Sequence, residues 1–400
     1  MQSSNYADPD SAIDALAKRL SVVTDTVSTS PAGRILAQTI VADRDSPAAD
    51  VSAMDGYAIC LSDLSTESEI PIGGESKAGS PPPTMLPGQV IRIFTGAIVP
   101  TGCEAVVKRE DTIESDSSIR FRPVAVKTTV AGSHIRRAGE NAAAGSAVLP
   151  PGTKITPAVV AALANFGVVQ PMVYRSVTVA LLTTGNEVVD PTADQLKPWQ
   201  LRNSNQAATV TMLSQHPFID VKRVEHVPDD RDALADSLKQ AIDGADAVVL
   251  TGGVSKGDYD YVPETISLSG GEIVFHGLPI RPGKPILGAA TNDGKLILGL
   301  PGNPVSATIN CHRFLLPLLR RVAAQANWRD KPPLVTLREP PKASIPLHVM
   351  LLARSVSCGI AVQSSVFDFH LHTASAVAHV QLDLGGGVVD KHVVDQSVDH

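Results

Sequence analysis

Apolar residues recur along this chain in two rhythms, and the change between them falls near residue 177. Ile13, Leu16, Ala17 and Leu20 stand three or four apart, which predicts a helix over 10–20. From 35 to 148 the apolar runs are short and broken by turn residues: Ile72-Gly73-Gly74, Ser80 with Pro81-Pro82-Pro83, Pro87-Gly88, and the stretch 99–102. That pattern predicts a small β domain. Thr156 before Pro157, with Gly167 beyond, frames a helix over 157–166 as N-cap, first-turn proline and C-cap glycine. Its face is apolar nearly all round, so it is expected to be buried between domains.

Beyond 177, strands alternate with helices. Strands are predicted over 177–182, 221–224, 247–250 and 296–298, and helices over 205–215, 231–242 and 304–322. Such alternation predicts a doubly wound parallel sheet. After Lys331-Pro332-Pro333, strand-like segments lead to a Gly385-Gly386-Gly387 turn and read as a small C-terminal β domain. The expected fold class is therefore multidomain α/β and β. The expected domains are a discontinuous N-terminal mixed domain (1–50 with 140–176), an inserted β-rich domain (51–139), a ligand-binding α/β domain (177–326) and the C-terminal β domain (327–400).

Composition narrows the function. At 400 residues and 43% hydrophobic, the chain can bury several cores. A formal net charge of -7 argues against nucleic acid as a partner, because binding along a phosphate backbone needs clustered Lys and Arg. Any anion site must be local. Cys60, Cys103, Cys311 and Cys358 are scattered without a CxxC pair, which favours reduced thiols over a zinc ribbon or a redox motif. The first ten residues lack a basic and an apolar leader region, and no apolar run is long enough to cross a bilayer, so a cytoplasmic protein is expected.

In an open α/β sheet, ligands sit beyond the carboxyl ends of the strands. Three predicted strand exits are rich in small and polar residues: Thr183-Thr184-Gly185-Asn186-Glu187, the stretch 251–260 (TGGVSKGDYD), and Gly299-Leu300-Pro301-Gly302-Asn303-Pro304-Val305-Ser306. In the third, Asn303 suits an N-cap and Pro304 the first helical position, while Gly302 leaves backbone N–H groups open to an anion. Alone it also fits an ordinary capped helix; beside Thr251-Gly252-Gly253 it favours a phosphate cradle. Arg281 and Lys284 stand three apart in a proline-rich loop, where both can face one oxyanion or, on the blander reading, water. Asp229 or Asp230 suits a helix cap. Asp258 and Asp260, with Glu187 and Asp55, are oxygen donors of the kind magnesium takes.

With these residues assembled, the chain resembles the MoeA and gephyrin E-domain family, the molybdopterin molybdenumtransferases. The motifs carrying the resemblance are Ser52-Ala53-Met54-Asp55-Gly56-Tyr57-Ala58, Thr95-Gly96-Ala97 with Pro100 and Gly102, Arg137-Ala138-Gly139-Glu140, Thr184-Gly185-Asn186-Glu187, Gly252-Gly253-Val254-Ser255, Pro282-Gly283-Lys284-Pro285 and Leu300 to Ser306, in the family's order over roughly 8–325. The resemblance implies insertion of molybdate into adenylated molybdopterin with release of AMP, assisted by Mg2+, in molybdenum cofactor biosynthesis. It implies a molybdopterin-binding α/β domain with substrate held at Thr95, Gly252, Gly253, Ser255, Arg281, Lys284, Pro301, Gly302, Asn303 and Ser306. Asp55, Glu187, Asp260 and Lys284 would be catalytic, and Asp55, Glu187, Asp258 and Asp260 the metal ligands. It further implies a homodimer in which the Asp55 loop can come from the partner chain, with molybdopterin adenylyltransferase and apo-molybdoenzymes as possible protein partners.

The chain departs from the family pattern at Asn141 and Asn186, where carboxylates are usual, and at Lys256, which adds a cation. An amide can hydrogen-bond but brings no charge to a metal. A second reading therefore stays open: a catalytically weakened paralogue that binds molybdopterin or a partner without inserting metal. A third, a molybdopterin adenylyltransferase, needs only one such α/β domain and leaves the long N-terminal region unexplained. His370 and His372 are expected to be surface or partly buried histidines rather than ligands.

Overall fold

Apolar runs separated by turns assemble into two six-stranded sheets, one in each of two compact units. The structure, a computed structural model, describes residues 6–255 and 260–329 in full and the backbone of strands 348–357 and 360–369.

One unit comprises residues 39–150 and 161–169. Its sheet runs β1 (Gly56–Ile59), β2 (Ile70–Ser76), β3 (Val90–Ile93), β4 (Ala105–Lys108), β5 (Thr112–Glu114) and β6 (Ser118–Phe121), in spatial order β4-β1-β3-β2-β6-β5. Successive residues enter opposite cores. Tyr57, Ile59 and Val107 pack with Phe121 on one face, while Ala58, Ile91, Ile93 and Val106 pack on the other.

The other unit comprises residues 1–38, 151–160 and 170–400. Its sheet contains β7 (Val177–Thr184), β8 (Ile219–Val227), β9 (Ala247–Thr251), β10 (Gly271–His276), β11 (Leu287–Thr291) and β12 (Leu296–Leu300), in order β8-β7-β9-β12-β11-β10. The four strands β8, β7, β9 and β12 are parallel; β11 and β10 extend the edge antiparallel. Both faces are covered at β7, β9 and β12, which is why these three are buried without alternation, whereas β8 at the edge mixes polar and apolar positions. Val179, Leu181, Val249 and Leu298 face a core shared with helix α1 (Pro9–Ala17), and Ala180, Leu182, Val248 and Leu250 face one shared with the helix over Arg231–Gly244. Full burial of each valine or leucine among them contributes roughly 1.5–3 kcal/mol.

Helix α2 (Ser204–Ser214) and helix α3 (Arg231–Gly244) each start at a side-chain cap. Asn203 accepts the Gln206 N–H at 3.1 Å, and Asp230 accepts the Ala233 N–H at 2.9 Å. Helix α4 (Val262–Leu268) and strands β10 and β11 have short, weakly periodic sequences that the apolar pattern does not announce. Helix α5 (Pro304–Asn310) continues through a π-helical stretch (Cys311–Leu315) into α6 (Leu316–Val322).

The helix expected over 157–166 forms at Pro157–Asn165, and Gly167 closes it at φ +72°. Its expected burial is not found: Leu163 alone is buried. Apolar composition predicts burial only where a surface exists to cover the helix, and Ala158, Val160, Ala161 and Ala164 are exposed.

Within the C-terminal region, strands His348–Ser357 and Ile360–Phe369 pair antiparallel, and the first continues the short strand Ile280–Arg281 in parallel register. The remaining residues of that region, His370 and His372 among them, lie outside the described residues. Among the described residues no helix is long and apolar enough to cross a membrane.

Candidate functional site

Parallel register places three strand exits side by side: Thr183 pairs with Thr251, and Thr251 with Leu300. The chain leaves β9 through two left-handed glycines, Gly252 at φ +90° and Gly253 at φ +62°. A Cβ on Gly252 would stand 2.8 Å from both the carbonyl oxygen and Oγ1 of Thr184, so any side chain there forces Thr184 to shift. At Gly302 a Cβ would meet only the Gly252 Cα, at an ordinary 3.8 Å. Protein packing does not demand that glycine, and its bare backbone opens onto the space in front.

That space is a cavity of about 350 Å³. Thr184, Glu187, Asn203, Asn205, Gly252 and Gly302 are among the residues lining it. Two side-chain oxygens of residues that line it are buried without a hydrogen-bond partner among the described residues: Thr184 Oγ1 and Asn205 Oδ1. The other end of the Asn205 amide is used, since Nδ2 donates to the Gly302 carbonyl at 2.8 Å. Buried polar atoms are nearly always satisfied, and leaving one unmet costs about 1–3 kcal/mol. Two such oxygens in residues lining one cavity leave acceptor capacity that the described residues do not use.

The third exit is capped as its sequence predicts. Asn303 Oδ1 accepts the Ser306 N–H at 3.1 Å and the Ser306 hydroxyl at 3.3 Å, and Pro304 opens the helix. Pro301 is buried beside Gly302. The helical run from 304 to 322 thus directs its positive end at the strand exits.

Sequence reasoning missed the stretch 201–205. It takes 205 as a helix start, whereas Asn203 is the cap and Asn203, Ser204 and Asn205 all line the cavity. The polar run Arg202-Asn203-Ser204-Asn205 ahead of an apolar stretch was the available signal.

Among the residues singled out from sequence, Glu187, Gly252 and Gly302 line the cavity. Ser255 is exposed and Asp260 half-buried, and neither lines it. Arg281 and Lys284 are exposed on a separate turn, where the Lys284 carbonyl accepts the Leu278 and Ile286 N–H groups at 3.1 and 2.8 Å. Asp258 and Lys256 lie outside the described residues. Among those described, no three His, Cys, Asp or Glu side chains gather in a metal-binding group.

Both substituted amides have partners. Asn186 Oδ1 accepts the Asp229 N–H, while Asn141 Oδ1 accepts Arg136 Nη2 at 2.7 Å, beside a 3.4 Å contact of Arg136 Nε with Glu140.

In the other unit, Asp55 Oδ1 accepts the backbone N–H of Thr95 at 2.8 Å and its hydroxyl at 2.7 Å. These bonds, the backbone one foremost, hold its carboxyl below the usual range, so Asp55 is an exposed anion at neutral pH. It borders a shallow cavity of about 830 Å³ with Lys108, Arg109, Glu110, Glu114 and Arg122. There Arg109 grips Glu114 through two bonds of 2.7 and 2.9 Å.

Known proteins match this arrangement along most of the chain. Residues 8–167 match the MoeA N-terminal region (domain I and II), and 180–321 match a probable molybdopterin binding domain. A molybdopterin molybdenumtransferase of Synechococcus elongatus is 36% identical over 72% of this chain and 72% of its own. That of Nostoc sp. is 37% identical over 74% and 68%, and that of Haemophilus influenzae 34% over 76% and 73%. In fold, the molybdopterin biosynthesis MoeA protein of Pyrococcus horikoshii superposes with a TM-score of 0.72 at 23% identity, covering 94% of this chain and 97% of that one.

Proposed function

The chain belongs to the MoeA family of molybdopterin molybdenumtransferases, and from that premise we propose that it inserts molybdate into adenylated molybdopterin with release of AMP. The observation carrying this reading is the strand-exit cavity with its two unmet oxygens, Thr184 Oγ1 and Asn205 Oδ1.

The substrate's phosphates would approach the backbone at Gly252, Gly253 and Gly302 and the start of α5, where N–H groups and the helix dipole favour negative charge. Thr184 and Asn205 would accept N–H groups of the ligand. Arg281 and Lys284 would neutralise the molybdate dianion, so that the two sulfurs of the dithiol bond to molybdenum while their two protons leave with one displaced oxo group as water. Ser255, two residues beyond Gly253, would add a hydroxyl donor, while the Ser306 hydroxyl is already given to Asn303 Oδ1.

Magnesium fits the donor set. It needs only one or two carboxylates when substrate phosphates and its own waters fill the other positions, and the protein offers Glu187 and Asp260, with Asp258 beyond the described residues. When bound, it would supply positive charge to the phosphates. Asp55 and Thr95 are proposed to act in a homodimer, reaching this chemistry from a second copy of the chain.

The experiment is reconstitution. Protein given adenylated molybdopterin, magnesium and molybdate is mixed with a purified apo-molybdoenzyme, whose activity should appear only when all components are present. Activity that appears equally without this protein contradicts the proposal.

A further inference from the structure

Beneath the turn that bears Arg281 and Lys284 lies a helix residue that belongs to none of the motifs above. Gly283, between the two exposed cations, is buried. Asn310, at the end of α5 and 0% exposed, donates from Nδ2 to the Gly283 carbonyl at 3.3 Å. The fit is tight. A Cβ on Gly283, which has φ +98°, would stand 2.3 Å from that nitrogen and 3.1 Å from Oδ1. Asn310 Oδ1 has no partner among the described residues. A fully buried amide with half its capacity unmet is costly where leucine would fill a similar volume without desolvation. The α-helix also gives way to a π-helix at the next residue, Cys311, and such irregularities concentrate at functional sites.

We propose that Asn310 is a positioning residue for the oxyanion: it clamps the Gly283 carbonyl onto α5 and so fixes the backbone from which Lys284 reaches its ligand. A trans peptide points its carbonyl and the following N–H in opposite directions. With the Gly283 carbonyl turned into the helix, the Lys284 N–H faces away from it. The far side of residue 284 is pinned as well, through its carbonyl bonds with Leu278 and Ile286. The same helix that caps at Asn303 beside the cavity thereby holds the cationic turn from its other end. The inference rests on the proposed assignment of molybdate to this turn.

The test uses the full chain carrying Asn310→Leu, which keeps volume, and Asn310→Ala, which avoids any clash; both remove the donor. In molybdate-dependent AMP release, the expected result is a molybdate KM raised about tenfold, the effect of one lost hydrogen bond. Turnover at saturating molybdate and affinity for adenylated molybdopterin should stay within about twofold. An unchanged molybdate KM in whichever variant folds overturns the role, as does an equal loss of molybdate and pterin binding. Lys284→Ala separates the two levels of the claim. Unchanged molybdate KM there removes the assignment of molybdate to the turn, and the inference with it; a raised KM there with wild-type behaviour in both Asn310 variants sinks the positioning role alone.

Discussion

Asn186 and Asp229 hold each other through two reciprocal bonds: Asn186 Oδ1 accepts the Asp229 backbone N–H at 3.2 Å, and the Asp229 carboxylate accepts the Asn186 backbone N–H at 2.9 Å. The amide at 186 is therefore a tie between two strand exits, next to a carboxylate that a second carboxylate would repel. Asn186→Asp should change turnover by less than about threefold and lower stability by up to ~1 kcal/mol, the scale of an exposed charge pair. Steady-state AMP release and a denaturant titration check this. A tenfold gain in turnover would show that a carboxylate at 186 is a missing catalytic group.

Thr184→Val keeps the shape of the side chain while removing a buried hydroxyl with no partner among the described residues. Stability of the free protein should hold or rise by up to ~1 kcal/mol, and affinity for adenylated molybdopterin should fall about tenfold. Opposite signs for stability and binding are the signature of a polar atom kept for a ligand; loss of both would assign it to the fold.

Gly252→Ala meets the Thr184 carbonyl at 2.8 Å and strains a backbone at φ +90°. The expected cost is roughly 1–3 kcal/mol of stability, with pterin binding lost because the cavity wall is displaced. Calorimetric titration with adenylated molybdopterin measures it. Wild-type affinity would place the phosphates elsewhere.

Much of this site was legible before any coordinates. The exits at Thr184, Gly252 and Gly302 lie in motifs whose glycines and caps have local physical causes, so sequence spacing alone predicted them. Other features depend on distant partners. The β10 and β11 edge has no helix-strand alternation to announce it, Asn205 matters through Gly302 almost a hundred positions away, and Asn310 matters through Gly283. The exposed helix Pro157–Asn165 shows the converse, since apolar composition cannot say whether a covering surface exists.

Asp246 predicts an acid-sensitive fold. Burial raises its carboxyl, but bonds from Arg175 (2.6 and 2.9 Å) and from Thr178 (2.8 and 2.7 Å) outweigh that and hold it below the usual value. A depressed carboxyl contributes stability above its unfolded value near ~3.9, and that contribution is lost as pH falls through the folded value. Asp246→Asn should cost ~2 kcal/mol at neutral pH, discounted for partial exposure, and the gap to wild type should narrow in acid. Urea titrations at neutral and acidic pH test this; a gap independent of pH contradicts it.

The central claim is insertion of molybdate into adenylated molybdopterin, and its most direct measurement is stoichiometry. Pure protein is loaded with adenylated molybdopterin and magnesium, then given molybdate, while AMP and pterin-bound molybdenum are counted together. The account predicts equal amounts of both, with AMP release dependent on molybdate. Tight pterin binding with no AMP released on adding molybdate would contradict it and leave a protein that holds the pterin without placing the metal.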